Sequence, residues 1–117
     1  EAPQSADLTL TVAGEDKQVT AQGDGPVDAT FNAVKALFPH DAKLQLYQVH
    51  AVTQGTDAQA TVTVRMEEDG KIVTGTSADT DTVVASARAY VAALNRLIVR
   101  RARQGRDGKE ISYKDAG

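Results

Sequence analysis

The chain states one pattern twice, and that repeat limits its fold more than any other feature. Val19–Thr20 leads into the polar stretch Gly23–Asp24–Gly25–Pro26–Val27–Asp28–Ala29, and Val73–Thr74 leads into a second one, Gly75–Thr76–Ser77–Ala78–Asp79–Thr80–Asp81. Helical spacing follows both. Upstream, Leu8, Leu10 and Val12 have counterparts in Val62, Val64 and Met66, and Lys17 has one in Lys71. The shared order is strand, turn, strand, polar turn, helix. A repeat of this size predicts two copies of one supersecondary unit about a pseudo-twofold axis. A cleft between like units is a natural place for a ligand.

The first polar turn feeds directly into a helix. Pro26 suits the first helical position, where its missing N–H would have had no partner. Asp24 is placed to cap the free amides, and Asp28 sits where a carboxylate suits the positive dipole end. Val27, Phe31, Val34 and Phe38 form the apolar stripe, which Pro39 ends. A start of this kind is either a well-capped helix or, left open, an anion site. The second helix is expected over Thr80–Arg103, with Val84, Ala87, Val91, Leu94 and Ile98 as its stripe. Ala85, Ala89, Ala92 and Ala93 make it thin enough for close packing. Arg96, Arg100, Arg101 and Arg103 complement its C-terminal dipole and read as a solvated helix end.

Strands are expected at Asp7–Ala13 and Gln18–Ala21, and at Ala60–Glu67 and Lys71–Thr76 around an Asp69–Gly70 hairpin. Leu44–Thr53 is the odd strand. Leu44 and Leu46 point one way, Tyr47, Val49 and Ala51 the other, so the phase switch implies a bulge or burial of both faces. A partner subunit or a ligand cleft would supply the second cover. No such strand precedes Leu8, and the chain begins with Glu1. The expectation is a fragment whose first unit lacks its opening strand. The domain is read over residues 1–104, with unit one about 1–40 and unit two about 41–104, and residues 105–117 as a flexible tail. The fold class is α+β: two βββα units, an antiparallel sheet packed on two helices, dimeric.

The chemistry of catalysis is missing from the pattern. The 117 residues include no cysteine, which excludes disulfides, thiolate zinc sites and Cys nucleophiles. His40 and His50 lack partners at metal-ligand spacing, and each is read as solvated or locally hydrogen-bonded. Ser86 has no nucleophile-elbow context. Gly23-x-Gly25 is not a dinucleotide fingerprint. Asp79 and Asp81 read as caps before they read as an acid–base pair. The formal net charge of −3 gives no general pull toward nucleic acid. No apolar run is read as approaching the roughly 20 residues of a membrane span, and no signal-peptide pattern is present.

Three blocks carry a resemblance. They are Gly23–Ala29; Tyr47-x-x-His50–Ala51–Val52–Thr53-x-Gly55–Thr56–Asp57–Ala58–Gln59–Ala60; and Ala78–Val91 with Ala93–Leu97. In this order they resemble the C-terminal regulatory domain of bacterial 2-isopropylmalate synthase, over about Leu8 to Arg103. The resemblance implies a cytoplasmic parent enzyme that condenses acetyl-CoA with 3-methyl-2-oxobutanoate. Its catalytic TIM barrel with a divalent metal would lie upstream, leaving no cofactor in this stretch. It implies two βββα units, a homodimer, and L-leucine bound near the interface as a feedback inhibitor, with no nucleic-acid or membrane partner. An isoleucine-sensing citramalate synthase domain and an effector-free dimerisation module are the alternatives.

Carried over by position, the effector pocket falls on Asp24, Gly25, Pro26, Val27 and Asp28. It also takes Leu44, Tyr47 and Ala51 from the odd strand, Ala58 after it, and Ala78, Asp81 and Thr82 at the second helix start. The expectation is a pair of open helix tips sharing a hollow. Helix amides would take the carboxylate of an amino acid, and Asp28 or Asp81 its ammonium. Val27, Leu44, Ala51 and Ala58 would line an isobutyl slot, a burial of roughly 1.5–3 kcal/mol.

Overall fold

The computed structural model describes residues 4–12, 14–38, 40–52, 59–103 and 111–114. In chain order the elements are β1 (Gln4–Val12), β2 (Glu15–Gly23), α1 (Pro26–Leu37), β3 (Lys43–Val52), β4 (Gln59–Glu68), β5 (Lys71–Asp79), α2 (Thr82–Arg103) and β6 (Ile111–Lys114). The repeat is present as β1–β2–α1 and β4–β5–α2. Among the described residues all strand pairs are antiparallel, and the strands divide into two sheets ordered β2–β1–β6 and β3–β4–β5.

Strict alternation builds the sheet faces. Val62, Val64 and Met66 on β4, Val73 on β5, and Leu8 and Leu10 on β1 are buried, while their alternating neighbours are more exposed. Against them lie Ala33 and Val34 of α1 and Tyr90, Val91, Leu94, Leu97 and Ile98 of α2, in one continuous core. The hairpin between β4 and β5 turns at Asp69 and Gly70, both at positive φ (52° and 78°), as the Asp-Gly pair predicts.

The second polar stretch is strand where the sequence suggested turn. β5 continues through Gly75 to Asp79, and α2 starts only at Thr82. Gly75 serves close approach instead. A Cβ there would stand 2.1 Å from the Ala89 carbonyl oxygen and 2.5 Å from the Ala93 nitrogen, both backbone atoms of α2. Ala85, Ala89 and Ala93 are buried and keep this face of α2 thin, as expected.

The buried face of α1 also differs from its expected stripe. Ala29, Thr30, Ala33 and Val34 are buried, whereas Val27, Phe31 and Phe38 are only half-buried. Small residues let α1 lie close on β1 and β2, and the Thr30 hydroxyl is satisfied by donating to the Pro26 carbonyl at 2.7 Å. Pro39, the expected stop, lies outside the described residues, and α1 closes with the Phe38 N–H donating to the Val34 carbonyl at 2.8 Å.

Two further expectations need correction. Thr82–Val99 is an 18-residue stretch of mean hydropathy 1.3, long and apolar enough to cross a membrane by composition. Here it is the central core helix, with Ser86, Tyr90, Leu94, Leu97 and Ile98 all buried. In the stretch read as tail, Ile111–Lys114 pairs with β1 as β6. Four residues are too few for a period to show, so that strand is set by the edge it joins.

Candidate functional site

At the start of α1, Gly25 is the N-cap in extended conformation (φ −151°, ψ 175°), and no side chain caps it among the described residues. The expected role of Asp24 is reversed. Its own N–H donates to the Asp28 carboxylate at 2.9 Å, so the first-turn acid braces the residue before the cap. The first helical bond runs from the Ala29 N–H to the Gly25 carbonyl at 2.9 Å. Val27 and Asp28 precede it, so their amides have no carbonyl four residues back within the helix. Gly23 fixes the approach: a Cβ there would fall 2.5 Å from the Ala29 nitrogen. Asn32 ties the same corner by donating its side-chain amide to the Gln22 carbonyl at 2.9 Å.

The start of α2 is closed, which corrects the expectation of two open tips. The Asp81 carboxylate accepts from the N–H groups of Val83 (2.8 Å) and Val84 (3.3 Å). Asp79 accepts from the Asp81 N–H at 2.9 Å and pairs with Arg88 at 3.2 Å. Capping is what the residue types at Asp79 and Asp81 favour, and the carboxylate of Asp81 is engaged by it.

β3 carries the predicted bulge, between Leu44 and Leu46. Its effect was misread from the phase switch. Leu44, Tyr47, Val49 and Ala51 stand opposite Met66, Val64, Val62 and Ala60, while Leu46 stands opposite Arg65. One extra residue thus brings Leu44 onto the face shared by Tyr47 and Ala51 and leaves Leu46 on the other. This row sits on an edge strand, and Leu44 (47% exposed) and Val49 (41%) are uncovered.

Tyr47 connects the parts. The Ser86 hydroxyl donates to the Thr82 carbonyl at 2.7 Å, so the Tyr47 hydroxyl, 2.7 Å from Ser86 Oγ, is the donor to it. Phe31 of α1 meets Tyr47 edge-on at 5.7 Å and stacks on Tyr90 at 4.4 Å. An aromatic junction therefore joins α1, β3 and the first turns of α2. Phe31, Ser86 and Tyr90 were not among the expected site residues; a serine inside an apolar helical stretch was the available signal. Ala78 does not join them. It stands opposite Thr61 on the face of the sheet away from Tyr47. Ala58 lies outside the described residues. A groove of about 660 Å³ lies elsewhere, between β5 and α2, lined by residues that include Ile72, Arg96 and Val99 and by none of the expected site residues.

His40 is buried and locally hydrogen-bonded, the second of its two expected states. The Ala42 N–H donates to its Nδ1 at 3.2 Å, so Nε2 carries the proton and donates to the Tyr90 hydroxyl oxygen at 2.9 Å. Burial pushes the Tyr90 hydroxyl up from 10.0 to about 12. The neutral phenol is thus favoured in the folded chain. Its contribution is fully present below pH 10 and is lost as pH rises through about 12, at about 1.4 kcal/mol per unit. Tyr90→Phe should flatten the fall in thermal midpoint between pH 10 and pH 12. At neutral pH it should cost about 1 kcal/mol through the lost His40 bond. Circular-dichroism melts of both chains across that range check this; parallel declines would assign the alkaline loss to other groups.

Two like strand–helix units joined through aromatic side chains, with one uncapped helix start beside the joint, place the chain among duplicated α+β domains. It belongs to the family described as the LeuA allosteric (dimerisation) domain, whose pattern matches residues 1–98. It is 66% identical over 98 residues to a 2-isopropylmalate synthase of Caulobacter sp. (strain K31), covering 84% of this chain and 19% of that protein. It is 57% identical over 101 residues to one from Nitrobacter winogradskyi, covering 86% and 20%. With one from Rhodopseudomonas palustris (strain TIE-1) it shares 56% over 105 residues, covering 90% and 20%. The chain thus spans about a fifth of the length of these relatives.

Proposed function

We propose that the chain is the leucine-sensing module of a cytoplasmic 2-isopropylmalate synthase, acting as a homodimer that carries feedback inhibition to a catalytic domain of the same polypeptide. The observation that carries this reading is the uncapped start of α1 beside the Phe31–Tyr47–Ser86 junction. The amides of Val27 and Asp28 suit a carboxylate. Asp28, which accepts from the Asp24 N–H through one carboxylate oxygen, is assigned the ammonium because it stands on the uncapped helix start, whereas Asp81 caps its own helix. Val27 with the β3 row of Leu44 and Ala51 supplies apolar surface for an isobutyl group, with Ala58 assigned beside it by position. That row is open in one chain, so a second copy would complete the slot, and the dimer interface and effector site become one place. Asp24, Gly25, Pro26 and Thr82 shape the backbone around it. Inhibition then requires that leucine favour a less active arrangement of the full enzyme, which would condense acetyl-CoA with 3-methyl-2-oxobutanoate.

Calorimetric titration of the chain with leucine, isoleucine and valine tests the reading, with amide shifts mapped by residue. Leucine should bind tightest, with shifts centred on residues 24–28 and 47–51. Val27→Trp should fill the slot and abolish the heat while the fold persists. Isoleucine binding tightest would move the assignment to a citramalate synthase domain. No heat from any of the three would leave a dimerisation module without an effector.

A further inference from the structure

The two tyrosines in contact with Phe31 have opposite hydrogen-bond polarity. Tyr90 accepts: the His40 Nε2–H donates to its oxygen at 2.9 Å, and the residue is closed in the core at 6% exposed. Tyr47 donates. The order of bonds is set by a group with no proton to give, the Thr82 carbonyl, which accepts from the Ser86 hydroxyl at 2.7 Å. Ser86 is fully buried and has only that one proton, so its oxygen meets the Tyr47 oxygen at 2.7 Å as an acceptor. The Tyr47 proton is therefore spent toward α2. What remains on the phenol oxygen is lone-pair capacity alone.

The position of Tyr47 gives that polarity a use. The residue is half-buried, on the β3 row whose Leu44 and Val49 are uncovered. Phe31, one helical turn after Val27, meets its ring edge-on. The ring is thus held from the α1 side by packing, and the hydroxyl from the α2 side by a hydrogen bond. Turning the proton away would break the Ser86 bond and leave the buried serine oxygen with one partner fewer.

Resting on the effector site proposed above, we infer that Ser86 is a positioning residue that holds Tyr47 as an acceptor, and that Tyr47 thereby selects for the ammonium of an amino-acid effector. The side chain and carboxylate of leucine are shared by 4-methylpentanoate, and at neutral pH the ammonium is leucine's sole donor. A phenol free to rotate would serve a carboxylate as donor just as well. One locked as acceptor repels a carboxylate and attracts an ammonium. An ammonium has three protons, so Tyr47 adds to Asp28 without competing with it.

Amide-shift titrations of the parent, Tyr47→Phe and Ser86→Ala chains with leucine and with 4-methylpentanoate test this. Tyr47→Phe keeps the ring and should weaken leucine about tenfold, with no loss for 4-methylpentanoate. Ser86→Ala frees the phenol proton and should weaken leucine about threefold while tightening 4-methylpentanoate. Parent-like leucine affinity in Tyr47→Phe, or an equal loss for both ligands, would overturn the role of Tyr47 while the effector site stood. If 4-methylpentanoate binds Ser86→Ala no better than the parent, the role of Ser86 is overturned. No leucine-dependent shift in the parent chain would remove the effector site itself, and both roles with it. If Ser86→Ala does not fold, Tyr47→Phe decides alone.

Discussion

Gly75→Ala is expected to remove much of the stability of the domain. The new methyl would lie 2.1 Å from the Ala89 carbonyl oxygen and 2.5 Å from the Ala93 nitrogen. Neither atom belongs to a side chain that can rotate away, so β5 or α2 must shift as a unit. The helix is already as thin as residues allow there, with Ala85, Ala89 and Ala93 buried. Overpacking that forces side chains off rotamer and shifts backbone costs about 1–3 kcal/mol, occasionally more. A domain of this size holds about 5–15 kcal/mol in total. Urea unfolding followed by circular dichroism should show a midpoint far below that of the parent chain. A parent-like midpoint would mean that α2 stands further from β5 than the structure has it.

Gly23→Ala is expected to abolish leucine-dependent amide shifts, with a smaller loss of stability. The added Cβ would meet the Ala29 nitrogen at 2.5 Å and the Asp28 carbonyl carbon at 2.8 Å, so the first turn of α1 has to move. That movement breaks the brace between the Asp24 N–H and the Asp28 carboxylate and misaims the free amides of the helix start. The expected cost in stability is about 1–3 kcal/mol. Titration of a folded Gly23→Ala chain should give no leucine-dependent shifts at residues 24–28. Parent-like shifts would place the effector elsewhere and leave the proposed pocket without support.

Much of this architecture could be read from residue spacing. The repeat gave the two units, the Asp69–Gly70 pair the hairpin, and the alanines of α2 its close packing. The failures share a cause: in each, a residue type was assigned a role that a particular contact decides. Gly75 resembles a turn residue, and only the passage of α2 across β5 shows why it must be small. Asp24 resembles a cap, yet the Asp28 carboxylate turns back to its N–H. The bulge in β3 was legible as a break in phase, but its site decides which residues share a face, and only pairing with β4 fixes that. His40 reads as solvated or locally hydrogen-bonded; the local bond from Ala42 is present, and what spacing hides is burial against Tyr90, 50 residues away. The polar start of α1 and the place of Tyr47 on the odd strand were legible in the spacing. The Ser86 link was not, because a hydroxyl inside a helix gives no sign of what lies across from it.

α2 has a consequence for the molecule as a whole. It touches β4 and β5 of its own half, α1 and β6 of the other, and through Tyr90 it holds His40, which lies in the joint between the halves. Although the sequence is a duplication, the interior is not divided the same way. Cut at the joint, the first half would keep α1 over β1 and β2 but lose the contact of α1 with α2, and the second would keep α2 over β4 and β5 with that flank bare. The two copies therefore share a single keel, and buried residues of both belong to one core.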